Sequence, residues 1–547
     1  MDAPTPPAPG RKGDAWRLSA LVLLSVGLHA WVIARTEVTA RDSIGFARFA
    51  LHLEHPPQPP DVPEPMTRLD VVRQARHPPG YPLLVLLVSQ PVRAAAGGVS
   101  PGSMVLSAQL ASALAAVLLV FPMYFLGRRL FGADVAFLAA GLFQVLPVFA
   151  TVSSDGLSDS LFLLAAATSL WLGVIALQRQ GWGWFLLCGL ASGLAYLVRP
   201  EGVVLAGAAG LVVLGLCLRG AWRFRYALAR GAAVAAGLLL VMAPYVATIG
   251  KLTAKPSGAN LIRSLLGLET EPAWHGAPES DATPAAPGHD GPPGALFAAW
   301  WHEPTQAGES RMAWAAESLF SELLKSFHYL PAFLALGGVV WLAPRWRREP
   351  ALRLLVVLAA VHASLLWLLA VKVGYLSERH TLLIVLAGSY FAAAVLPPLG
   401  RWVASWALCR RGDAGFWTAA LAALLAATAL PGPLTKSLHA NRAGHRYAGE
   451  WLAGHAEPDA VIYDPFCWAQ FYAGRAWVIK PFPGPGATNP VYIILEPFND
   501  NPHSRLPMID QARLMARAGK PVYHWPPDGP LEEAEVVVYR AVPEPPR

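Results

Sequence analysis

The chain has 547 residues, of which 54% are hydrophobic and 14% are charged, and its mean hydropathy is +0.40. Because ordinary soluble domains carry about 25% charged residues, this composition excludes a soluble globular protein and predicts a polytopic membrane protein. The net charge of +7 does not indicate nucleic-acid binding, since the arginines stand in short clusters between apolar runs rather than along one stripe.

Apolar runs of about 17 to 23 residues are long enough to cross a hydrocarbon core of about 30 Å as helices, and the sequence predicts about eleven of them. They begin near Leu18, Met104, Gly132, Leu161, Trp184, Val203, Gly231, Leu330, Leu354, Thr381 and Trp417. If residues 1–17 are cytoplasmic, every short Arg-rich loop lies on the cytoplasmic side, as the positive-inside rule requires. The first run is interpreted as a retained anchor, because its apolar stretch exceeds the about 7 to 15 residues of a signal peptide.

This topology predicts a transmembrane domain with large outward segments, followed by an outward tail. The domain covers residues 18–434, the outward segments are residues 36–103 and 251–329, and the tail is residues 435–547. In the first segment, residues 42–54 and 81–96 are predicted to be helices that lie at the membrane interface. The predicted location is the cell membrane, with the tail on the extracytoplasmic, periplasmic side.

The tail is predicted to be a small α/β domain. Its strand-like runs are residues 460–463, 477–479, 491–495 and 536–539, and its helical runs are residues 447–453 and 508–518. No nucleotide-binding glycine fingerprint follows these strands. Of the four cysteines, Cys467 alone falls in an outward segment, so neither a disulfide framework nor a cysteine metal site is predicted. The predicted fold class is an all-α polytopic membrane protein with a small C-terminal α/β extramembrane domain.

Five sequence features recur in the order of a known family. They are Asp42 after the first helix, HPPGYP at residues 77–82, GRRLFG at 127–132, SDGLSD at 154–159 and GLAYLVRPEG at 193–202. Over most of residues 15–450 the chain resembles GT-C-fold membrane glycosyltransferases, especially bacterial relatives of protein O-mannosyltransferases and of the lipid A aminoarabinose transferase. The resemblance implies a sugar donor carried on a polyprenyl phosphate. It also implies that the acid of the first outward loop is the catalytic base or organises the site.

Three acidic residues are the catalytic candidates. An acceptor hydroxyl is a poor nucleophile, and a carboxylate within hydrogen-bond reach takes its proton as it attacks the sugar, which is the role assigned to Asp42. Its alternative role is a helix cap or an interfacial charge. Asp155 and Asp159 stand four residues apart, a spacing that brings two residues to one face of a helix. The resemblance implies an acid here without deciding between them; Asp155 is preferred, and capping of the next helix is the alternative.

A polyprenyl phosphate leaves with its negative charge, so the site needs cations. The candidates are Arg199 and, in the segment 372–380, Arg379 with Lys372. Glu378 is added to this substrate-binding set as the neighbour of Arg379. Both arginines have the alternative role of helix-end charges that extend to the interface, and Arg379 has the further alternative of pairing with Glu378.

His77 and Tyr81 complete the predicted substrate-binding set. The aminoarabinose transferase pattern has Lys before the two prolines, whereas His77 is only partly charged near neutral pH. The prolines also fix a rigid turn, which is the structural alternative for this motif.

A divalent cation is a possible cofactor, since His302, Glu303 and His328 have suitable donor atoms. Their spacing matches no recognisable metal site, so no metal ligands are assigned and no cofactor is certain.

Together these features predict an integral membrane glycosyltransferase that moves a sugar from a polyprenyl-phosphate donor to a glycan, lipid or protein acceptor on the extracytoplasmic face. Membrane lipids are its other partners. Two alternatives from other classes stay open: a transporter or flippase of lipid-linked sugars, and a catalytically inactive lipid-binding scaffold. A ligase for larger glycans is the alternative within the enzyme class.

Overall fold

The computed structural model describes residues 11–58, 66–254, 310–406, 413–475, 489–497 and 507–541. The described part of the chain up to Thr435 is helical, and a small mixed domain follows it. The first helices are α1 (Arg11–Ala34), α2 (Arg41–Glu54), α3 (Arg68–Gln74), α4 (Gly80–Ala96), α5 (Pro101–Phe131), α6 (Ala133–Val145) and α7 (Pro147–Val152). They are followed by α8 (Asp159–Arg179), α9 (Trp182–Val198), α10 (Val203–Leu218) and α11 (Phe224–Ile249).

The second half of the helical bundle begins after the gap in the described residues. It contains α12 (Arg311–Ser326), α13 (Leu330–Trp341), α14 (Ala343–Arg348), α15 (Pro350–Val373), α16 (Leu382–Ser405), α17 (Ala414–Ala429) and α18 (Pro431–Thr435). The tail contains α19 (Ala443–His455), β1 (Val461–Tyr463), α20 (Trp468–Tyr472), β2 (Val491–Leu495), α21 (Pro507–Arg517), β3 (Lys520–Trp525) and β4 (Val536–Ala541).

Seven of the described helices are long and apolar enough to cross a membrane, namely α1, α5, α8, α10, α11, α15 and α16. Helices α12 and α13 meet at 106° and pass the same test as one bent pair, and α6, α9 and α17 are shorter apolar helices. Each predicted apolar run therefore lies in a helix, which confirms the polytopic all-α class. The number of spans remains a prediction.

Close contact between α9 and α11 depends on two glycines. A Cβ atom on Gly189 would overlap the carbonyl of Val234, and one on Gly237 would overlap the carbonyl of Leu186. Small residues allow membrane helices to approach each other closely. The position of α9 is thus set by tight backbone packing, and Arg199 directly follows this helix.

The tail is built on a four-stranded sheet in the order β1-β2-β4-β3, with β1 parallel to β2 and the other pairs antiparallel. This confirms the predicted small α/β domain, although β3 was not predicted. Pro521 and the exposed Val522 obscure the strand pattern, and an edge strand tolerates proline. The predicted strand at residues 477–479 lies outside the described residues.

The tail packs directly on the connection between α1 and α2. Val38 and Ile44 share a hydrophobic core with residues of α19, α20 and the sheet. Two hydrogen bonds to backbone carbonyls reinforce this packing. The amide of Glu37 donates to the Leu438 carbonyl at 3.1 Å, and the Trp468 indole donates to the Thr39 carbonyl at 2.8 Å. The tail therefore contacts the chain a few residues before Asp42.

A buried ionic cluster joins α19 to the sheet. Glu496, which follows β2, accepts hydrogen bonds from Arg442 and from His445 Nε2. Burial raises the pKa of Glu496, but the hydrogen bonds and charges of His445 and Arg442 outweigh it and hold that pKa below its ordinary value. The cluster fixes Arg442, and with it the short segment between α18 and α19.

Candidate active site

Charged residues from four separate places in the chain meet at one end of the helical bundle. Asp42 lies in the first turn of α2, and Asp159 is the first residue of α8. Arg199 directly follows α9, and Arg379 lies in the 3₁₀ helix Glu378–Thr381 that leads into α16. A carboxylate in the first turn of a helix is favoured by the positive end of the helix dipole, so both acids stand where helices stabilise negative charge.

These side chains form a continuous chain of ion pairs. The Arg379 guanidinium donates from Nη1 to Asp42 Oδ2 and from Nη2 to Asp159 Oδ2, each at 3.1 Å. Arg199 donates to the other carboxylate oxygen of Asp159. Its Nη2 atom lies 3.8 Å from Glu201 Oε1. Acid and guanidinium thus alternate from Asp42 to Glu201.

Exposure changes sharply along this chain of ion pairs. The Asp42 side chain is 46% exposed and that of Arg379 is 25% exposed, whereas Asp159 is 3% exposed and Arg199 is 6% exposed. A buried carboxylate between two guanidiniums is suited to holding them in place, since breaking such a pair leaves an uncompensated charge. Asp42 lies at the more exposed end of this chain of ion pairs.

Asp155 has different partners from Asp159. It is buried, its Oδ1 accepts the backbone N–H of Ala40 at 2.9 Å, and its Oδ2 lies 2.7 Å from His439 Nε2. The predicted pairing of Asp155 and Asp159 on one helical face is not what the structure shows. Asp155 precedes α8 in a turn, whereas Asp159 begins the helix.

The turn that carries Asp155 is fixed from several directions. Gly156 has a φ of +69°, and a Cβ there would lie 2.9 Å from the Ala108 Cβ atom. Ser43 Oγ donates to the Asp155 carbonyl at 2.6 Å, and Ser112 Oγ donates to the Leu157 carbonyl at 2.7 Å. A positive φ without steric cost is a property of glycine, so this turn depends on Gly156.

His77 and Tyr81 lie beside α2. The rings of both residues are centred 4.9 Å from the ring of Phe46. Tyr81 is fully buried, and its hydroxyl donates to the Ala108 carbonyl at 2.9 Å and lies 2.7 Å from Ser112 Oγ. Tyr81 therefore supports the packing of α4 on α5 and does not enter the chain of ion pairs.

Lys372 and Glu378 stand apart from the catalytic candidates. Both are exposed, and within the described ranges neither side chain has a hydrogen bond or ion pair with Asp42, Asp159 or Arg199. The backbone carbonyl of Glu378 accepts hydrogen bonds from Ser326 and Thr381, each at 2.8 Å. Glu378 thereby helps to shape the 3₁₀ helix that presents Arg379, and the alternative of a pair between Glu378 and Arg379 is not seen.

Two site residues were not singled out from the sequence. Glu201 follows Arg199 by two positions in the quoted RPEG motif, and an acid so close to a membrane-depth arginine is a signal that points to it. His439 offers no local signal, because its partner Asp155 is 284 positions away.

A metal site is not found in the described part of the chain, where no group of three or more His, Cys, Asp or Glu side chains could hold a metal ion. His302 and Glu303 lie outside the described residues. His328 Nε2 lies 2.9 Å from the backbone carbonyl of Thr428.

The whole structure is similar to solved membrane glycosyltransferases. ArnT from Cupriavidus metallidurans bound to undecaprenyl phosphate has a TM-score of 0.58 at 15% identity, covering 98% of this chain and 99% of that chain. The archaeal oligosaccharyltransferase AglB from Archaeoglobus fulgidus, in complex with an inhibitory peptide and a dolichol-phosphate, has a TM-score of 0.54 at 14% identity. This second match covers 84% of this chain and spans 64% of the AglB chain. These matches show that the chain has a GT-C-like fold.

Comparison with family sequence models gives a match in one region of the chain. Residues 100–249 match the family model described as dolichyl-phosphate-mannose-protein mannosyltransferase. No curated protein sequence matches the chain significantly. The matched region contains Asp155, Asp159, Arg199 and Glu201, so it includes the buried part of the site. The predicted resemblance to GT-C-fold, mannosyltransferase-like membrane proteins is thereby confirmed.

Proposed function

We propose that the protein is a membrane glycosyltransferase that moves a sugar from a polyprenyl-phosphate donor to an acceptor hydroxyl on the extracytoplasmic face. The observation that carries this proposal is the exposed Asp42 joined through Arg379 to the buried Asp159, at the meeting point of helix ends in a GT-C-like bundle. The donor class is supported by the undecaprenyl phosphate and dolichol-phosphate bound to ArnT and AglB.

The proposed step balances as a simple substitution at the anomeric carbon. Asp42 accepts the proton of the acceptor hydroxyl as its oxygen forms a bond to the anomeric carbon. The bond between that carbon and the phosphate oxygen breaks, and polyprenyl phosphate leaves with the bonding electrons. Arg379 stabilises the departing negative charge, and Asp159 with Arg199 holds Arg379 in position.

Arg379 couples donor binding to the hydrogen bonding of the base Asp42. In this structure its two terminal nitrogens donate to Asp42 and Asp159. A donor phosphate that binds Arg379 competes for the hydrogen bond to Asp42 rather than the one to Asp159, because the Asp42 side chain is 46% exposed and the Asp159 side chain is 3% exposed. Donor binding then frees an oxygen of Asp42 to accept the hydroxyl proton.

Reconstitution in liposomes separates this proposal from transport. Purified protein is given lipid-linked sugars and acceptor fractions extracted from the cell envelope, and free polyprenyl phosphate is measured by liquid chromatography and mass spectrometry. A transferase releases polyprenyl phosphate and adds mass to an acceptor. A flippase moves the lipid-linked sugar and leaves its covalent structure unchanged, which is the result that would overturn the proposal.

Arg379→Ala is expected to raise the KM for the lipid donor by about 10-fold or more, since a charge-assisted hydrogen bond to phosphate contributes about 1.5–3 kcal/mol. The KM for the acceptor should change little. The control is Arg311→Ala, because Arg311 is exposed and donates to the Lys372 carbonyl. Equal changes in both KM values would remove Arg379 from the donor site.

The proposed orientation is tested by cysteine labelling in intact cells, in a variant without native cysteines. Ala453, an exposed residue of α19, should be labelled by an impermeant thiol reagent when it is replaced by Cys. Arg225→Cys, at the start of α11, should be labelled after the cells are opened and not before. The reverse pattern would place the tail in the cytoplasm.

A further inference from the structure

His439 connects the tail to the catalytic end of the bundle. It lies between α18 and α19, and its Nε2 atom is 2.7 Å from Asp155 Oδ2. Its backbone has a φ of +52°, in the left-handed region that residues other than glycine rarely adopt. Strained backbone of this kind persists where surrounding contacts hold it. Here the amide of Glu37 donates to the carbonyl of the preceding residue, Leu438.

Asp155 links His439 to the start of α2, the helix that carries Asp42. Its second oxygen accepts the N–H of Ala40, the residue directly before α2. The first N–H groups of a helix have no partner within it and need one from outside. Asp155 supplies that partner for one of them, the N–H of the N-cap residue Ala40. The position of Ala40 thus depends on Asp155, and Asp42 follows two residues later.

We propose that His439 is a positioning residue, which holds the base Asp42 in its working position through Asp155 and the Ala40 amide. The active site is then completed by the tail, which must be folded against the bundle for transfer to occur. The ionic pair of Arg442 and Glu496 anchors the segment three residues after His439 to the sheet. This inference rests on the proposed transferase function.

The charge of His439 supports the same account. Burial lowers the pKa of His439, but the hydrogen bond and charge of Asp155 raise it more, against an opposing effect of Arg442. Among the described residues, the charged groups that act on the imidazole are Asp155, from the turn before α8, and Arg442, from the 3₁₀ helix Ala440–Arg442. Because the folded-state pKa is raised, the charged pair is fully present below the ordinary pKa of His. It is lost as the pH rises through the raised value.

The kinetic test compares His439→Ala with His439→Gln in the liposome assay. His439→Ala is expected to lower kcat by about 10- to 100-fold, because a small displacement of a catalytic group costs rate, with the donor KM nearly unchanged. Wild-type kcat is expected to fall as the pH rises through the raised pKa of His439, because the charged pair with Asp155 is lost. His439→Gln retains an N–H donor near the Nε2 position and should recover most of the activity without that fall. The control is His455→Ala, an exposed histidine that contacts Trp451 and not the site.

Hydrogen exchange tests positioning without any activity measurement. Peptides that cover residues 36–46 should exchange several-fold faster in His439→Ala than in the wild-type protein, and peptides from β2 and β4 should exchange at the wild-type rate. The peptides from the sheet show whether the tail is still folded. If they also exchange faster, the comparison is made with His439→Gln, which should restore wild-type exchange in residues 36–46.

The outcomes separate the two proposals. If the wild-type protein transfers sugar and His439→Ala has the same kcat, the positioning role is wrong and the transferase proposal stands. If the wild-type protein transfers no sugar, the transferase proposal fails. The exchange of residues 36–46 then still decides whether His439 holds the start of α2, and unchanged exchange would overturn that inference.

Discussion

Asp42→Asn is expected to lower kcat for sugar transfer by about 10²- to 10⁴-fold, the usual contribution of a general base. Asn has the same shape but accepts no proton at neutral pH. The structural cost should be small, because Asp42 is 46% exposed and its ion pair with Arg379 is partly open to water. Binding of polyprenyl phosphate should therefore persist in the variant.

The control for Asp42→Asn is Asp70→Asn. Asp70 is a half-buried acid between α2 and α4 that pairs with Arg73 and forms the capping box of α3 with Thr67, without contact to the site. It should keep wild-type kcat. An Asp42→Asn variant that is folded and as active as Asp70→Asn would exclude Asp42 as the base.

Asp159→Asn is expected to be the most damaging change to the site. Removing this charge leaves Arg199 buried, with a more distant contact to Glu201, and breaking a buried ion pair costs about 3–5 kcal/mol. Arg379 also loses one of its two acids. Both donor binding and kcat should fall, together with the thermal unfolding midpoint of the purified protein in detergent.

A double variant distinguishes the two effects of Asp159→Asn. Adding Arg199→Gln removes the unpaired buried charge, so the unfolding midpoint should recover in part while activity stays low. The control is Asp134→Asn, which removes a surface acid paired with Arg17. A lone Asp159→Asn change with wild-type stability would contradict the buried network.

The helices could be predicted from the sequence because the thickness of a membrane sets a minimum length for each apolar run. Each predicted run lies in a helix, including those in the short helices α6, α9 and α17. Asp42 was singled out through the family resemblance, because Glu37 is the first acid after α1 and position alone does not distinguish the two; the catalytic role of Asp42 remains a prediction. Strand β3 could not be predicted, because edge strands lack a clean apolar pattern.

The different partners of Asp155 and Asp159 could not be predicted from the sequence. Both acids stand in the same short motif, and a helical spacing suggests a shared role. The left-handed Gly156 between them separates the residues, so that one accepts the Ala40 amide and the other holds the arginines. Which acid contacts which partner depends on where the other helices lie, and a local pattern does not contain that information.

The contacts of Tyr81 and His439 also could not be predicted from the sequence. Tyr81 belongs to a motif of the family it resembles, yet its hydroxyl is used within the bundle by Ala108 and Ser112. His439 belongs to no motif, yet the chain after α18 returns to the end of α1 and brings His439 to Asp155. Arg35 donates to the carbonyls of Leu434 and Thr435 and fixes that return.

Mass spectrometry of the cell envelope shows whether the carboxylate of Asp42 is needed for sugar transfer in the cell. Glycolipids and glycoproteins are compared in cells that lack the gene and carry wild type, Asp42→Asn or Asp70→Asn at matched protein levels. We expect one sugar modification to be lost with the gene and to return with wild type and Asp70→Asn but not with Asp42→Asn. Full return of the sugar with Asp42→Asn would show that the Asp42 carboxylate does not catalyse the transfer.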